Sequence, residues 1–167
     1  MSASRRSLDD LLLYRLSRLL AVAGSLVIRL CEGRFGITRR EWRLIATLAC
    51  HGELNSSQLA DHAQLDRART SKAIGSLVDK GLASRAVPPG DRRQVRIALT
   101  PAGLVLYDEL HPLVTRINAD LVDALQADDL ERLDRMLEHL QARATRMVGT
   151  AVLPKADRGR RGARPPG

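Results

Sequence analysis

The sequence has few aromatic residues, few cysteines and no long uninterrupted apolar segment. Aromatic residues make up 2% of the 167 residues, so Leu, Val, Ile and Ala have to fill the interior. Cys31 and Cys50 can form one bridge at most, which excludes a disulfide framework and favours a reducing, bacterial-type cytoplasm. Three arginines interrupt the apolar stretch that begins at Leu11, so we expect neither a membrane span nor an export signal.

The patterns typical of an enzyme are also missing. The four histidines are scattered without metal-ligand spacing, and no serine or cysteine has a recognisable arrangement with a base. The chain has no phosphate-binding glycine loop. The sequence therefore predicts no enzymatic activity, no cofactor and no metal site.

Acidic residues are outnumbered by basic ones, 19 to 27, which gives a net charge of +8 and a pI of about 10.6. Such a balance favours a polyanionic partner, nucleic acid before an anionic membrane. The segment 155–167 carries five basic residues against one acidic residue, and we expect this Pro- and Gly-containing tail to be disordered. Its arginines either add sequence-independent affinity for DNA by counterion release or form a solvated end.

Helical periodicity dominates the rest of the chain. Apolar residues recur at three- and four-residue steps over residues 8–31, which predicts a long helix ended by Gly33 and Gly36. A second helix runs from Thr38 to about Cys50. Two shorter helices follow, the first capped by Asn55 with Gln58 at its third position, and the second running from the cap Asp66 to Lys80.

Two further amphipathic helices follow near the end of the chain. Thr100 and Pro101 form a typical helix start, and Pro112 within that helix predicts a kink. Asp128 to Glu131 cap a last helix whose apolar residues form a packing seam, namely Leu133, Leu137, Leu140, Ala144 and Met147. Because one small domain does not need these extra apolar faces for its own core, we expect them to form a shared dimer interface.

A basic hairpin is predicted between the fourth and fifth helices. The run from Val87 to Thr100 has a turn rich in Pro and Gly, a cluster of arginines and then apolar residues at alternating positions. A hairpin that follows two short helices is the wing of a winged helix-turn-helix. The predicted fold is therefore mainly α with a small β wing. It comprises a helical dimerisation region (1–34 and 101–150), a DNA-binding domain (35–100) and the basic tail (151–167).

The ordered motifs of this region resemble the MarR-type transcriptional regulators. They comprise Leu59-Ala60, Leu65-Asp66, Leu77, Lys80-Gly81-Leu82, Arg85, Asp91-Arg92-Arg93, Leu99-Thr100 and Gly103, and the similarity extends over roughly residues 8 to 147. The resemblance implies an obligate dimer held by the first and last two helices, more often a repressor than an activator. It also implies release from DNA by a small effector, an aromatic carboxylate or a phenolic compound.

The helix that begins after Asp66 is the predicted reader of the major groove of a double-stranded DNA operator. Its candidate contacts are Arg67, Arg69, Ser71, Lys72 and Ser76, because arginine suits bidentate contact with guanine and serine can bond to a base or a phosphate. Arg69 departs from the family pattern, so the base that it contacts is not inherited. In the wing, Arg92 and Arg93 are expected over the minor groove, with Asp91 orienting Arg93. A two-fold dimer predicts a palindromic operator.

A ligand site is expected where the first, second and fifth helices meet. The aromatic and cationic residues available there suit a small organic anion, and they are Tyr14, Arg15, Arg18, Trp42, Arg43 and His51. Two alternatives stay open at this point. One is a regulator that senses redox state through Cys31 or Cys50, although Cys31 lies among apolar residues, which favours structural burial. The other is a winged-helix module for protein–protein assembly.

Overall fold

The computed structural model describes residues 7–87, 95–150 and 152, and the predictions for the wing tip and the basic tail lie outside these residues. A single 3-10 turn, Leu8–Asp10, precedes the first long helix. The helices are α1 (Leu12–Arg34), α2 (Arg39–His51), α3 (Ser56–His62), α4 (Arg67–Asp79), α5 (Pro101–Val122) and α6 (Ala127–Thr150), and the strands are β1 (Leu54–Asn55), β2 (Ala83–Ala86) and β3 (Arg96–Leu99).

The chain divides into two compact units, residues 1–121 and residues 122–167. The first unit contains α1 to α4, the sheet and residues 101–121 of α5. The second contains Val122, the last residue of α5, and α6. The predicted division into a dimerisation region and a DNA-binding domain stays a prediction, because it concerns an assembly of two chains. None of the helices in the described ranges is long and apolar enough to cross a membrane.

The starts of α2 and α3 follow the predicted caps closely, whereas the predicted cap of the last helix is wrong, because α6 begins at Ala127 and Asp128 lies within its first turn. The Thr38 hydroxyl accepts a hydrogen bond from the backbone N–H of Glu41, and the Glu41 carboxylate accepts one from the backbone N–H of Thr38 at 2.6 Å. Asn55 and Gln58 form the same reciprocal box at the start of α3. These boxes satisfy backbone donors that have no partner inside the helix, which is why α2 and α3 begin where the sequence predicts.

The turn between α3 and α4 is short and tightly held. Gln64 adopts a φ of 52°, and its side-chain amide donates a hydrogen bond to the carbonyl of Asp61. The carboxylate of Asp66 accepts a hydrogen bond from the backbone N–H of Arg69, and α4 then runs to the predicted end, where Gly81 has a φ of 69°. The predicted arrangement of two helices joined by a short turn is therefore confirmed.

The three strands form one antiparallel sheet in the order β1-β3-β2. Ala83 of β2 lies opposite Leu99 of β3, so the predicted hairpin is confirmed, with the segment 87–95 joining its strands. Leu54 of β1 lies opposite Ile97 on the other side of β3. This third strand was not predicted, because two residues carry no periodicity and only the pairing with β3 defines them.

The core of the first unit is aliphatic, as the low aromatic content predicts. Its largest fully buried apolar residues come from α1, α2, α3, α4, β3, α5 and the turn before α2, and are Cys31, Ile37, Leu44, Ile45, Leu59, Ile74, Leu77, Ile97 and Leu110. Of the α4 residues expected to face inward, Ile74 and Leu77 are buried and Val78 is half-buried. This core holds the helix-turn-helix against the sheet.

Two predictions about helix ends can be compared with the structure. The helix α1 continues through Gly33 to Arg34, so the expected break at Gly33 is wrong, and Gly36, with a φ of 62°, marks the turn instead. A glycine in the last turn of a helix removes no hydrogen bond, whereas a positive φ ends the helical conformation. Helix α5 starts as predicted, with the Thr100 hydroxyl accepting a hydrogen bond from the N–H of Gly103, and it continues past Pro112.

Candidate nucleic-acid interface and ligand cavity

The helix α4 has one buried face and one basic, solvent-exposed face. Thr70, Ala73, Ile74 and Leu77 are buried against the core. On the other side, four of the predicted DNA contacts are exposed together, namely Arg67, Arg69, Ser71 and Lys72. The structure thus leaves these four side chains exposed to solvent near the start of the helix, which is the end of the second helix that helix-turn-helix proteins place in the major groove.

The first turn of α4 is organised by Asp66. One carboxylate oxygen of Asp66 accepts the backbone N–H of Arg69 at 2.9 Å, and the other lies 3.1 Å from the Nε of Arg69. Asp66 therefore caps the helix and at the same time fixes the direction of the Arg69 guanidinium. A negative charge beside an exposed arginine orients that arginine, although it also repels a phosphate group.

Ser76 does not belong to this exposed set. It is half-buried, and its hydroxyl lies close enough to the Glu41 carboxylate on α2 to help lower the pKa of that group. Ser76 follows Lys72 by four residues, so the two lie on the same face of the helix. Because Lys72 is exposed, this spacing predicts that Ser76 is exposed too. The nearby buried carboxylate belongs to another helix, and no sequence pattern reveals that this helix covers part of Ser76. We therefore leave Ser76 out of the candidate DNA contacts.

The wing contributes one residue that the sequence analysis did not place among the contacts. Arg85, on β2, reaches α4 with its guanidinium beside Gly75. Only the packing of the hairpin against α4 brings Arg85 to this helix, so no local pattern could have indicated it. Asp91, Arg92 and Arg93 lie outside the described residues, and their role stays a prediction.

Glu41 joins α2 to the end of α4. Its carboxylate is buried and accepts hydrogen bonds at 2.9 Å from the ammonium group of Lys80, which also bonds to the carbonyl of Gly36. Burial by itself raises the pKa of Glu41, but the hydrogen bonds from Lys80, Ser76 and the Thr38 N–H outweigh it, so the pKa is lowered. Glu41 is therefore held in its charged form.

A cavity of about 600 Å³ lies between α1, α2 and α5. Its walls are mostly apolar and include Leu16, Leu20, Val27, Trp42, Ile117 and Leu121. Three polar side chains face it, Arg39 and Arg43 from α2 and Asn118 from α5. A cavity of this size with apolar walls and a few polar groups is typical of a site for a small organic ligand.

Trp42 forms a rigid part of the cavity wall. Its ring stacks on that of Tyr107 with centroids 5.8 Å apart, and His111 lies against Tyr107 at 5.0 Å. Burial of the Arg43 guanidinium, followed by the neighbouring charge of Arg39, lowers the pKa of Arg43. Of the six residues predicted for a ligand site, Trp42 and Arg43 are the two that line this cavity.

The other four predicted ligand residues do not line this cavity, and we leave them out of the candidate ligand site. Arg15 and Arg18 lie along another side of α1, and Arg18 pairs with Asp9 at 2.6 Å. Tyr14 is exposed, and His51 lies at the end of α2 with its ring 4.3 Å from that of His62. The sequence places these residues on helices near the expected site, but it does not specify which face of the helix each side chain occupies.

Arg39 and Asn118 are cavity residues that the sequence analysis missed. Arg39 lies four residues before Arg43, so both occupy one face of α2, and this spacing is a signal that was present in the sequence. Asn118 carries no comparable signal, since its position depends on the packing of α5 against α1 and α2. Within the described residues, no group of three or more metal-ligating side chains is found.

The two cysteines differ in their surroundings. Cys31 is completely buried, and burial, followed by the charge of Glu32, raises the pKa of its thiol. A raised pKa disfavours the reactive thiolate, which agrees with a structural role for Cys31. Cys50 is exposed, and neither cysteine forms a disulfide within the described part of the chain.

A helix-turn-helix with a basic outer face, followed by a hairpin, defines the winged-helix class of DNA-binding proteins. Residues 35–94 match the model of the MarR family. This part of the chain is similar to the MarR family of DNA-binding transcriptional regulators, and so are the related proteins described below. The resemblance noted from the sequence motifs is thereby confirmed.

Three similar proteins illustrate the relationship. The chain is 36% identical over 74 residues to the HTH-type transcriptional regulator FarR of Neisseria gonorrhoeae, and this match spans 44% of the chain and about half, 51%, of FarR. The structure of a MarR family transcriptional regulator from Silicibacter pomeroyi is 28% identical, with a TM-score of 0.72, covering 83% of this chain and 92% of the other. The structure of NadR in complex with 4-hydroxyphenylacetate is 25% identical, with a TM-score of 0.60, covering 84% and 96%.

Proposed function

We propose that this protein is a ligand-responsive repressor that binds a palindromic DNA operator as a homodimer in the cytoplasm. The observation that carries the proposal is the exposed set Arg67, Arg69, Ser71 and Lys72 at the start of α4, opposite the buried face of the same helix. Arginine and lysine there supply both base contacts and phosphate contacts. Arg92 and Arg93, in the segment that joins β2 to β3, are the proposed minor-groove contacts, with Asp91 orienting Arg93.

Exposed apolar side chains support the homodimer. On α1, Leu13 is 80% exposed, and on α6 no residue is buried, although the predicted seam from Leu133 to Met147 is apolar. Side chains of this kind on two long helices are characteristic of an interface between copies of a chain. Two copies related by a two-fold axis would present two α4 helices to half-sites about one helical turn apart.

The cavity between α1, α2 and α5 is the proposed effector site. It holds two arginines among apolar walls, which suits an aromatic carboxylate or a phenolic anion. The similar protein NadR is seen in complex with 4-hydroxyphenylacetate, which supports this ligand class. Because α2 lines the cavity and also packs against α4, a ligand that shifts α2 changes the spacing of the DNA-reading helices.

Selection of bound duplexes from a random DNA pool, at near-physiological salt, tests the proposal. We expect an inverted repeat with half-sites about one turn apart. Arg67→Gln and Lys72→Gln should each weaken binding to that repeat, whereas Arg29→Gln, which removes an exposed charge on α1, should not. Lack of any enriched sequence, with binding that disappears as salt rises, would instead favour the protein–protein assembly module.

A cysteine-based redox sensor is the weaker alternative. Its first candidate, Cys31, is buried with a raised pKa, which disfavours oxidation. If peroxide released the wild-type protein and the Cys31→Ser variant equally from operator DNA, Cys31 would have no sensing role. Loss of the peroxide response in Cys31→Ser or Cys50→Ser alone would favour the redox sensor over the effector cavity.

A further inference from the structure

We infer that the cavity between α1, α2 and α5 selects an organic dianion, a compact molecule with two carboxylates on one apolar body. This inference rests on the proposed effector function and specifies the charge of its ligand. The cavity presents two arginines, Arg39 and Arg43, and no carboxylate among its described lining residues. It therefore carries two positive charges that a single carboxylate neutralises only in part.

Among the residues that the structure describes, the two guanidinium groups have no charged partner. In the described part of the chain, neither the Arg39 nor the Arg43 side chain has an ion pair or a hydrogen bond. They lie one helical turn apart on α2 and face the same space. Two partly desolvated like charges beside each other are unfavourable until anions occupy the space between them.

The pKa of Arg43 agrees with this arrangement. Burial lowers it first, and the positive charge of Arg39 lowers it further. A carboxylate of the ligand beside Arg43 offsets the effect of the Arg39 charge on the pKa of Arg43. A second carboxylate on the same ligand pairs with Arg39. Each guanidinium presents a planar fork of N–H donors that matches a carboxylate.

The shape of the cavity supports two charged ends on one apolar body. The Arg39 side chain reaches from α2 to α1, where its Nη1 lies 2.9 Å from the position that a Cβ on Gly24 would occupy. Leucine and valine side chains and Trp42 line the remaining wall. A ring with two carboxylates can therefore place its body against the apolar wall and its carboxylates at the two arginines.

Isophthalate and benzoate provide a matched pair of probes. Both have one aromatic ring, and at a pH of about 7.5 isophthalate carries two ionised carboxylates while benzoate carries one. Trp42 is the only tryptophan of the chain and lines the cavity, so its fluorescence reports binding directly. At equal ionic strength we expect isophthalate to bind roughly tenfold more tightly than benzoate, the effect of one additional charged contact.

Three variants test which side chains cause the preference for isophthalate over benzoate. Arg39→Gln and Arg43→Gln should each reduce the preference for isophthalate to about onefold to threefold. Arg40→Gln removes a neighbouring exposed charge on the same helix that does not line the cavity, and it should keep the preference. Circular dichroism of each variant verifies that α2 is still folded.

The outcomes separate this inference from the proposed function. Equal affinity of the wild-type protein for the two acids would overturn the dianion inference and leave an anion effector in place. Binding of neither acid would overturn both. A preference that survives in Arg39→Gln and Arg43→Gln would place the second carboxylate elsewhere and overturn the inference as well.

Discussion

The ammonium nitrogen of Lys80 lies 2.9 Å from both carboxylate oxygens of Glu41, and this pair joins the end of α4 to the start of α2. Glu41 stands between Arg39 and Arg43 in the sequence. The helix that lines the proposed effector cavity is therefore bonded, through its other side, to the helix that is proposed to enter the major groove. Such a direct connection is a physical route for coupling ligand binding to DNA binding.

Removal of Lys80 should destabilise the protein. In Lys80→Met the buried Glu41 carboxylate loses its charged donor, and we expect a loss of about 1–3 kcal/mol in the free energy of unfolding. The double variant Glu41→Gln/Lys80→Met should lose less than the sum of the two single variants, as measured by urea denaturation. Lys72→Met, which removes an exposed lysine from the same helix, is the control. Additive losses would show that the pair contributes no coupling energy.

Stability should depend on pH through Glu41. The pKa of Glu41 in the folded protein lies below its ordinary value of 4.5, so its contribution to stability is complete above about pH 4.5. That contribution is lost as the pH falls further, through the pKa of the folded state. Thermal unfolding of the wild-type protein and of Glu41→Gln between about pH 7 and pH 3 should show a difference in Tm that shrinks only in the acidic part. A difference independent of pH would contradict this prediction.

Asp66→Asn should keep the cap of α4 and remove the ion pair with Arg69. Asparagine caps a helix as well as aspartate does, so we expect a change in stability within about 0.5 kcal/mol. The guanidinium of Arg69 loses its fixed direction, and the DNA loses a repelling charge. We expect stronger binding to unrelated DNA and a several-fold smaller ratio of operator to non-operator affinity, measured by titration of both duplexes. An unchanged ratio would show that Asp66 does not orient Arg69 for recognition.

Gly24→Ala should weaken anion binding without weakening the fold. The new Cβ would lie 2.9 Å from the Nη1 of Arg39, a flexible end that moves away, while alanine favours the helix by up to about 1 kcal/mol. We expect a several-fold loss of isophthalate affinity in the Trp42 fluorescence titration. Gly33→Ala is the control on the same helix, because nothing lies within 4 Å of its new Cβ. Equal affinity of both variants would contradict the assigned position of Arg39.

Gly103→Ala should be far more damaging than either change on α1. A Cβ at this position would overlap the backbone carbonyl of Leu82, which cannot move away as a side chain does. We expect a loss of about 2–4 kcal/mol in the free energy of unfolding, because the start of α5 has to separate from the turn between α4 and β2. Urea denaturation of Gly103→Ala, with Gly33→Ala as the control, measures this loss. A loss below about 1 kcal/mol would show that the contact between Gly103 and Leu82 is loose.

The sequence by itself determined the order of the helices, the caps of α2, α3, α4 and α5, and the hairpin, because these depend mainly on local periodicity and on hydrogen bonds between residues three or four apart. It also identified the exposed basic start of α4, since the period of the helix separates Arg67 and Lys72 from Ile74 and Leu77. Only the tertiary structure decided that Ser76 turns toward Glu41, that Arg39 and Asn118 face the cavity, and that β1 pairs with β3. Each of these depends on contacts between segments far apart in the chain, and no local pattern of residues specifies which segments meet.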